Sequence, residues 1–117
     1  IEGGIMHDDK KIILEEATDK VCGDRHDDYG DATLNHTRIA ALWNVWITNR
    51  RWAGNPLTAY DVAMMMNLTK FARCMNKPKH DSHVDIAGYA AVANDIYETI
   101  VGVKVDGGTE EQTKTDG

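Results

Sequence analysis

The stretch Thr58-Ala59-Tyr60-Asp61-Val62-Ala63-Met64-Met65-Met66-Asn67-Leu68-Thr69-Lys70-Phe71-Ala72-Arg73-Cys74-Met75-Asn76 decides the fold. Met64, Met65, Leu68, Phe71, Ala72 and Met75 recur at helical spacing and give one apolar face. Val62 and Met66 lie elsewhere on the same wheel. A helix that is apolar on more than one side sits at the centre of a bundle or in a subunit interface. Thr58 and Asp61 match the capping box, in which each side chain caps the other residue's backbone N–H. The pattern therefore predicts a central helix from Thr58 to Asn76, and capping accounts for Asp61 without any chemistry.

Three more helices lie around it. Ile12, Ile13, Leu14, Ala17 and Val21 form the stripe of a first helix from about Asp9 to Val21, with Cys22-Gly23 as its stop. Leu34, Ile39, Ala40, Leu42, Trp43, Trp46 and Ile47 supply the apolar surface of a second, from about Asp31 to Thr48, with Asp31 as its N-cap. Val84, Ala87, Ala91, Ile96 and Ile100 mark the last, from about Ser82 to Val101. Its Gly88 and alanines allow a neighbouring helix to come close. Pro56 and Pro78 both fall between these segments, where helix bundles keep prolines. Strand patterns are weak throughout. The reading is all-α: a single four-helix bundle over residues 9–101, in up-down order. Residues 1–8 are expected to be a flexible N-terminus, and residues 102–117, rich in Gly, Thr, Asp and Glu, a disordered tail.

Composition narrows the function. A chain of 117 residues has room for one ordinary core. Its 42% hydrophobic and 27% charged residues are normal for a globular protein. Lys+Arg at 13 against Asp+Glu at 19 gives a net charge of −6, which argues against wrapping a nucleic-acid duplex. No apolar run approaches the ~18 residues that a membrane span requires. No secretory leader is evident, so a cytoplasmic location with reduced Cys22 and Cys74 is expected. Cys22, His26, Cys74 and His80 make only a weak zinc pattern, since no Cys-x-x-Cys pair anchors it. Asn35-His36-Thr37 and Asn67-Leu68-Thr69 match the glycosylation sequon but lie within predicted helices.

Up-down order brings the ends of helices one and three to the starts of helices two and four. Arg25, Tyr29, Asp31, Asn35, Lys70, Arg73, His80, Asp81 and Asp85 gather there, while Arg50, Arg51 and Asp61 lie at the opposite end. Helix N-termini attract anions. Asp81 and Asp85 project from one face of the last helix and suit Mg²⁺, which shares oxygen ligands with substrate phosphates. The plainer reading is that Ser82-His83-Val84-Asp85 is a capping box and Asp81 solvates the turn. Lys70 and Arg73 share a side and could grip phosphate, the Lys as a point charge and the Arg as a fork. Alternatively, they simply oppose the helix dipole. Tyr29 is an odd residue for a solvated turn and could stack on a base. Glu15, Glu16 and Asp19 form an acidic cluster, either a solvated face or half of a metal site. Trp43 and Trp46 read as core or as a dimer seam.

Several of these segments, taken in order, resemble a small phage-encoded domain of unknown function. They are Gly23-Asp24-Arg25, Asp28-Tyr29-Gly30-Asp31, Ile39-Ala40-Ala41-Leu42-Trp43, Asp61-Val62-Ala63-Met64-Met65 and the run from His80 to Ala90. That domain is in turn distantly similar to the MazG-like all-α nucleotide pyrophosphohydrolases. The resemblance implies hydrolysis of a nucleoside or deoxynucleoside triphosphate to monophosphate and pyrophosphate. It also implies Mg²⁺ held by acidic side chains of two helices, and a homodimer or homotetramer. The family pattern is E-E-x-x-E followed by E-x-x-D. Here Glu15-Glu16-Ala17-Thr18-Asp19 ends in Asp, and Asp81 and Asp85 are four apart rather than three. On this view Asp81, Asp85, Glu15, Glu16 and Asp19 hold the metal. Lys70 and Arg73 offset developing charge, and Arg25, Tyr29, Asp31 and Asn35 contact the nucleotide. The rival expectation is a phage accessory or anti-defence protein that binds a nucleotide signal, or a host protein, without turnover.

Overall fold

The computed structural model describes residues 2–23 and 30–102. Among these the chain is all-α, with four helices and no strand. They are α1 (Glu2–Cys22), α2 (Ala32–Asn49), α3 (Ala59–Asn76) and α4 (His80–Val101). Arg25, His26 and Tyr29, and the expected tail beyond Gly102, lie outside the described residues.

Helix α3 is central, as its apolar wheel requires: it packs against both α2 and α4. Its buried residues, Asp61, Ala63, Met65, Asn67, Thr69 and Ala72, face more than one direction. The buried apolar core is thin, with Ala63, Met65, Ala72 and Ala93 as its members among the described residues. Small side chains let the helices approach, and directional bonds set their register. Trp43 Nε1 donates to the Met65 carbonyl at 2.8 Å, and Trp46 Nε1 to Asp61 Oδ1 at 2.9 Å. The two bonds run α2 and α3 antiparallel and place the start of α2 beside the end of α3. On the other flank Tyr60 meets Tyr97, with ring centroids 6.1 Å apart, and Lys70 meets Asp85, so α3 and α4 are antiparallel too. Among the described residues α1 packs on none of these three helices, and Ile12, Ile13, Leu14 and Val21 on it are exposed.

Local signals account for most boundaries. Asp31 caps α2 by accepting from Leu34 N at 2.9 Å. Thr58 and Asp61 form both halves of the capping box on α3. Two boundaries differ from the sequence reading. Helix α1 begins at Glu2 rather than near Asp9, because backbone hydrogen bonding continues beyond the apolar stripe. Helix α4 begins at His80, with Lys79 as an N-cap that makes no side-chain cap. The expected Ser82–Asp85 box is absent: Ser82 is buried inside the helix and Asp85 pairs with Lys70.

Candidate functional site

The start of α2 and the start of α4 each lie beside the end of α3, without packing on one another. Gly30 leads into α2 with φ +71°, a left-handed backbone that suits glycine. A Cβ at Gly30 would stand 2.6 Å from Asn76 Oδ1, so this turn is seated directly on the last turn of α3. Asp31 spends its carboxylate on the α2 cap. Asn35 follows on the next turn, only 4% exposed, and its Oδ1 is buried without a hydrogen-bond partner. Buried polar atoms are nearly always satisfied, so an orphaned amide oxygen at a helix junction points to a missing partner.

Across α3, Lys70 Nζ lies 2.9 Å from Asp85 Oδ2. The lysine side chain is 15% exposed and the aspartate 46%, so this pair faces solvent on one side. Asp81, exposed, stands one turn earlier on the same helix. Arg73, half-buried, stands one turn later on α3. The first N–H groups of α4 also open here, without a side-chain cap from Lys79. This end thus collects two carboxylates, two cations and a helix N-terminus, which is a chemistry suited to a phosphate ester.

Asp81, Asp85, Lys70, Arg73, Asp31 and Asn35 thus lie toward the same end; Lys70 and Asp85 are in contact, whereas Asp31 and Asn35 stand on α2, which does not pack on α4. Glu15, Glu16 and Asp19 lie exposed on α1, away from Asp81 and Asp85. Among the described residues no three His, Cys, Asp or Glu side chains come together as a metal cage. Two carboxylates still fit Mg²⁺, which commonly takes one or two carboxylates and completes its shell with waters and substrate phosphates. Cys22 and Cys74 are both free thiols.

The opposite end is built differently. Asp61, 0% exposed, accepts from Thr58 N at 2.8 Å, Thr58 Oγ1 at 3.0 Å, Trp46 Nε1 and Arg50 Nη1, the last at 2.7 Å. Arg50 also donates to the carbonyls of Asn55 and Pro56, which ties the α2–α3 loop to this pair. Burial alone raises the Asp61 pKa. The hydrogen bonds from the Thr58 backbone, Trp46 and the Thr58 hydroxyl, with the charge of Arg50, outweigh it and hold the carboxyl below its ordinary value. This network clamps the fold. The sequence places Asp61 and Arg50 at the same end, but their pairing depends on the antiparallel packing of α2 and α3.

Helical bundles of this kind host many chemistries, so the fold alone names no activity. The chain belongs to the family described as Domain of unknown function (DUF6378), whose model matches residues 12–97. It is 49% identical over 81 residues to the Gene 55 protein of Mycobacterium phage L5, covering 68% of this chain and 49% of that protein. It is 37% identical over 87 residues to the Gene 55 protein of Mycobacterium phage D29, covering 74% of this chain and 54% of that protein. The chain thus spans about half the length of the curated relatives it matches. No solved structure matches it. These relatives are phage proteins, and no described helix is long and apolar enough to cross a membrane.

Proposed function

We propose that the chain is a MazG-like, Mg²⁺-dependent nucleoside triphosphate pyrophosphohydrolase that acts on ribo- or deoxynucleotides in the host cytoplasm. The observation that carries this reading is the Lys70–Asp85 pair, joined across α3 and α4 one turn from Asp81. Lys70 neutralises Asp85 while no substrate is present. An arriving triphosphate competes for the lysine, which transfers its charge to a phosphate oxygen and frees Asp85 as a metal ligand. Arg73 grips a second phosphate as a fork. The uncapped N–H groups of α4 add donors for the same anion. Asp81 and Asp85 would hold the Mg²⁺, which, when bound, offsets phosphate charge and activates a water.

The assembly we propose is a homodimer or homotetramer. Exposed Ile12, Ile13, Leu14 and Val21 on α1, and Val84, Val92 and Ile100 on α4, are faces for another copy to cover. Within that assembly Glu15, Glu16 and Asp19 would complete the acidic set. A second reading, nucleotide binding without turnover, is favoured by one feature: among the described residues no three His, Cys, Asp or Glu side chains come together as a metal cage. A host protein is the remaining partner class.

The deciding assay is pyrophosphate release, counted as phosphate after inorganic pyrophosphatase, from a panel of ribo- and deoxynucleoside triphosphates. It is run with and without Mg²⁺ and with Asp85→Ala. Metal-dependent turnover abolished by the substitution is expected. Binding with no turnover on any triphosphate would establish the second reading instead.

A further inference from the structure

One turn from Lys70 on α3, at Asn67, begins a groove that this function has not used. A cavity of about 340 Å³ lies between α3 and α4, walled by Tyr60, Met64 and Asn67 of α3 and by Ala90, Ala93, Asn94 and Tyr97 of α4. Past Tyr60 and Tyr97 it continues into a second hollow of about 240 Å³ that reaches Trp46, Trp52 and Arg51. The rings along this floor are tilted: Trp46 to Tyr60 at 6.2 Å and 49°, Tyr60 to Tyr97 at 6.1 Å and 56°. Ala90 and Ala93 leave the α4 wall low and flat.

Two polar side chains line this slot, and one of them, Asn94, already donates to Glu98 Oε1; the other is unmatched. Asn67 is 7% exposed, and its Oδ1 is buried without a hydrogen-bond partner. A buried, unmatched carboxamide weakens a fold, so its presence on the most buried helix calls for a ligand that completes it. The carboxamide offers an acceptor and donors in one plane, and a half-turn of its terminal torsion exchanges them. A flat aromatic heterocycle with a donor beside an acceptor on its edge matches both the amide and the slot. Nucleobases have that edge, and aromatic side chains stack on their faces.

We infer that this groove is the base subsite, with Asn67 as the residue that reads the base edge. The inference rests on the proposed triphosphate site and extends it. Asn67 and Lys70 are three residues apart on α3, which puts them on one side and about 4.5 Å apart along the axis. A base against Asn67 therefore points its sugar and phosphates toward Lys70, Asp85 and Asp81. Tyr97 and Tyr60 close the far end of the slot.

The test measures binding of nucleoside triphosphates, free nucleosides and inorganic tripolyphosphate in Mg²⁺, by calorimetry and by the fluorescence of Trp46 and Trp52. The variants are Asn67→Leu and Lys70→Gln. Asn67→Leu should weaken nucleoside triphosphates by about tenfold or more while leaving tripolyphosphate unchanged. It should also keep or raise the thermal midpoint, because it removes an unmatched buried amide. Lys70→Gln should weaken both phosphate ligands and spare free nucleosides. Equal loss of tripolyphosphate and nucleotide in Asn67→Leu would overturn the base subsite. So would unchanged binding of both, or a large drop in stability, which would make the amide structural. Nucleotides bound no better than tripolyphosphate would overturn the subsite and leave the phosphate site standing. Nucleosides bound through Asn67, with tripolyphosphate ignored, would sink the phosphate site and keep the groove. If no ligand binds, the inference falls, and a change in the mass of the oligomer in Tyr97→Ala then marks the groove as a contact between copies.

Discussion

Substituting Asp61 tests the claim that the Arg50 end of the molecule is a clamp. The side chain is 0% exposed and accepts hydrogen bonds from Thr58, Trp46 and Arg50. In Asp61→Ala the Arg50 guanidinium keeps only the loop carbonyls as partners, with its charge uncompensated and buried. Breaking a buried ion pair from one side typically costs about 3–5 kcal/mol. That is a large share of the 5–15 kcal/mol that holds an average domain together, and roughly 12–20 °C in midpoint for a chain of this size. Urea unfolding followed by far-UV circular dichroism, at fixed protein concentration, measures the loss. The double variant Asp61→Leu with Arg50→Met should recover most of it, since an apolar pair leaves no stranded charge. The pH dependence has a definite sign. Because the folded carboxyl lies below its ordinary value of 3.8, its contribution is fully present above that pH and is lost as pH falls further, through the folded value. Asp61→Ala should therefore flatten the acid limb of the stability curve below about pH 4. A loss under about 1 kcal/mol, or a double variant no better than the single, would refute the clamp.

Three further outcomes are expected. Gly30→Ala forces a left-handed alanine whose Cβ meets Asn76 at 2.6 Å, so it should cost at least about 1–2 kcal/mol in a thermal melt and weaken nucleotide binding more than its exposure suggests. Trp43→Phe removes the bond to the Met65 carbonyl and some packing. It should cost about 1–2 kcal/mol by urea titration without changing the affinity for tripolyphosphate; a large change would move Trp43 from scaffold to site. Asn35→Leu should hold or raise stability and reduce triphosphate binding. A clear fall in midpoint would show that the Asn35 amide serves the fold.

What the sequence made legible was whatever is encoded locally. The Thr58–Asp61 box, the Asp31 cap and the central place of the Thr58–Asn76 helix all follow from spacings within one or two turns. The up-down order was enough to gather Lys70, Arg73, Asp81, Asp85, Asp31 and Asn35 at one end. Interactions set by packing were not legible. Arg50 lies in a loop 11 residues before Asp61, and only the antiparallel approach of α2 to α3 joins them. Asp85 satisfies a local capping pattern with Ser82, yet Lys70 on the neighbouring helix takes its carboxylate, and α4 starts two residues earlier, at His80. Asn67 looks like any polar residue of a helix until α4 covers it.

The carboxylate of Asp61 and the amides of Asn35 and Asn67 differ in how they are matched. Around Asp61, one carboxylate, one guanidinium, one indole and one capping threonine are joined into a network that uses every carboxylate oxygen. Around Asn35 and Asn67, amide oxygens are buried with no partner. Both cannot be there for stability: a satisfied network rigidifies a fold, whereas an unmatched amide weakens it and a leucine of similar volume would serve better. Arg50 Nε, beside Asp61, is also buried without a partner, so the contrast lies between individual groups and not between the two ends. That contrast is a more discriminating guide than charge alone, because each end carries both an arginine and an aspartate.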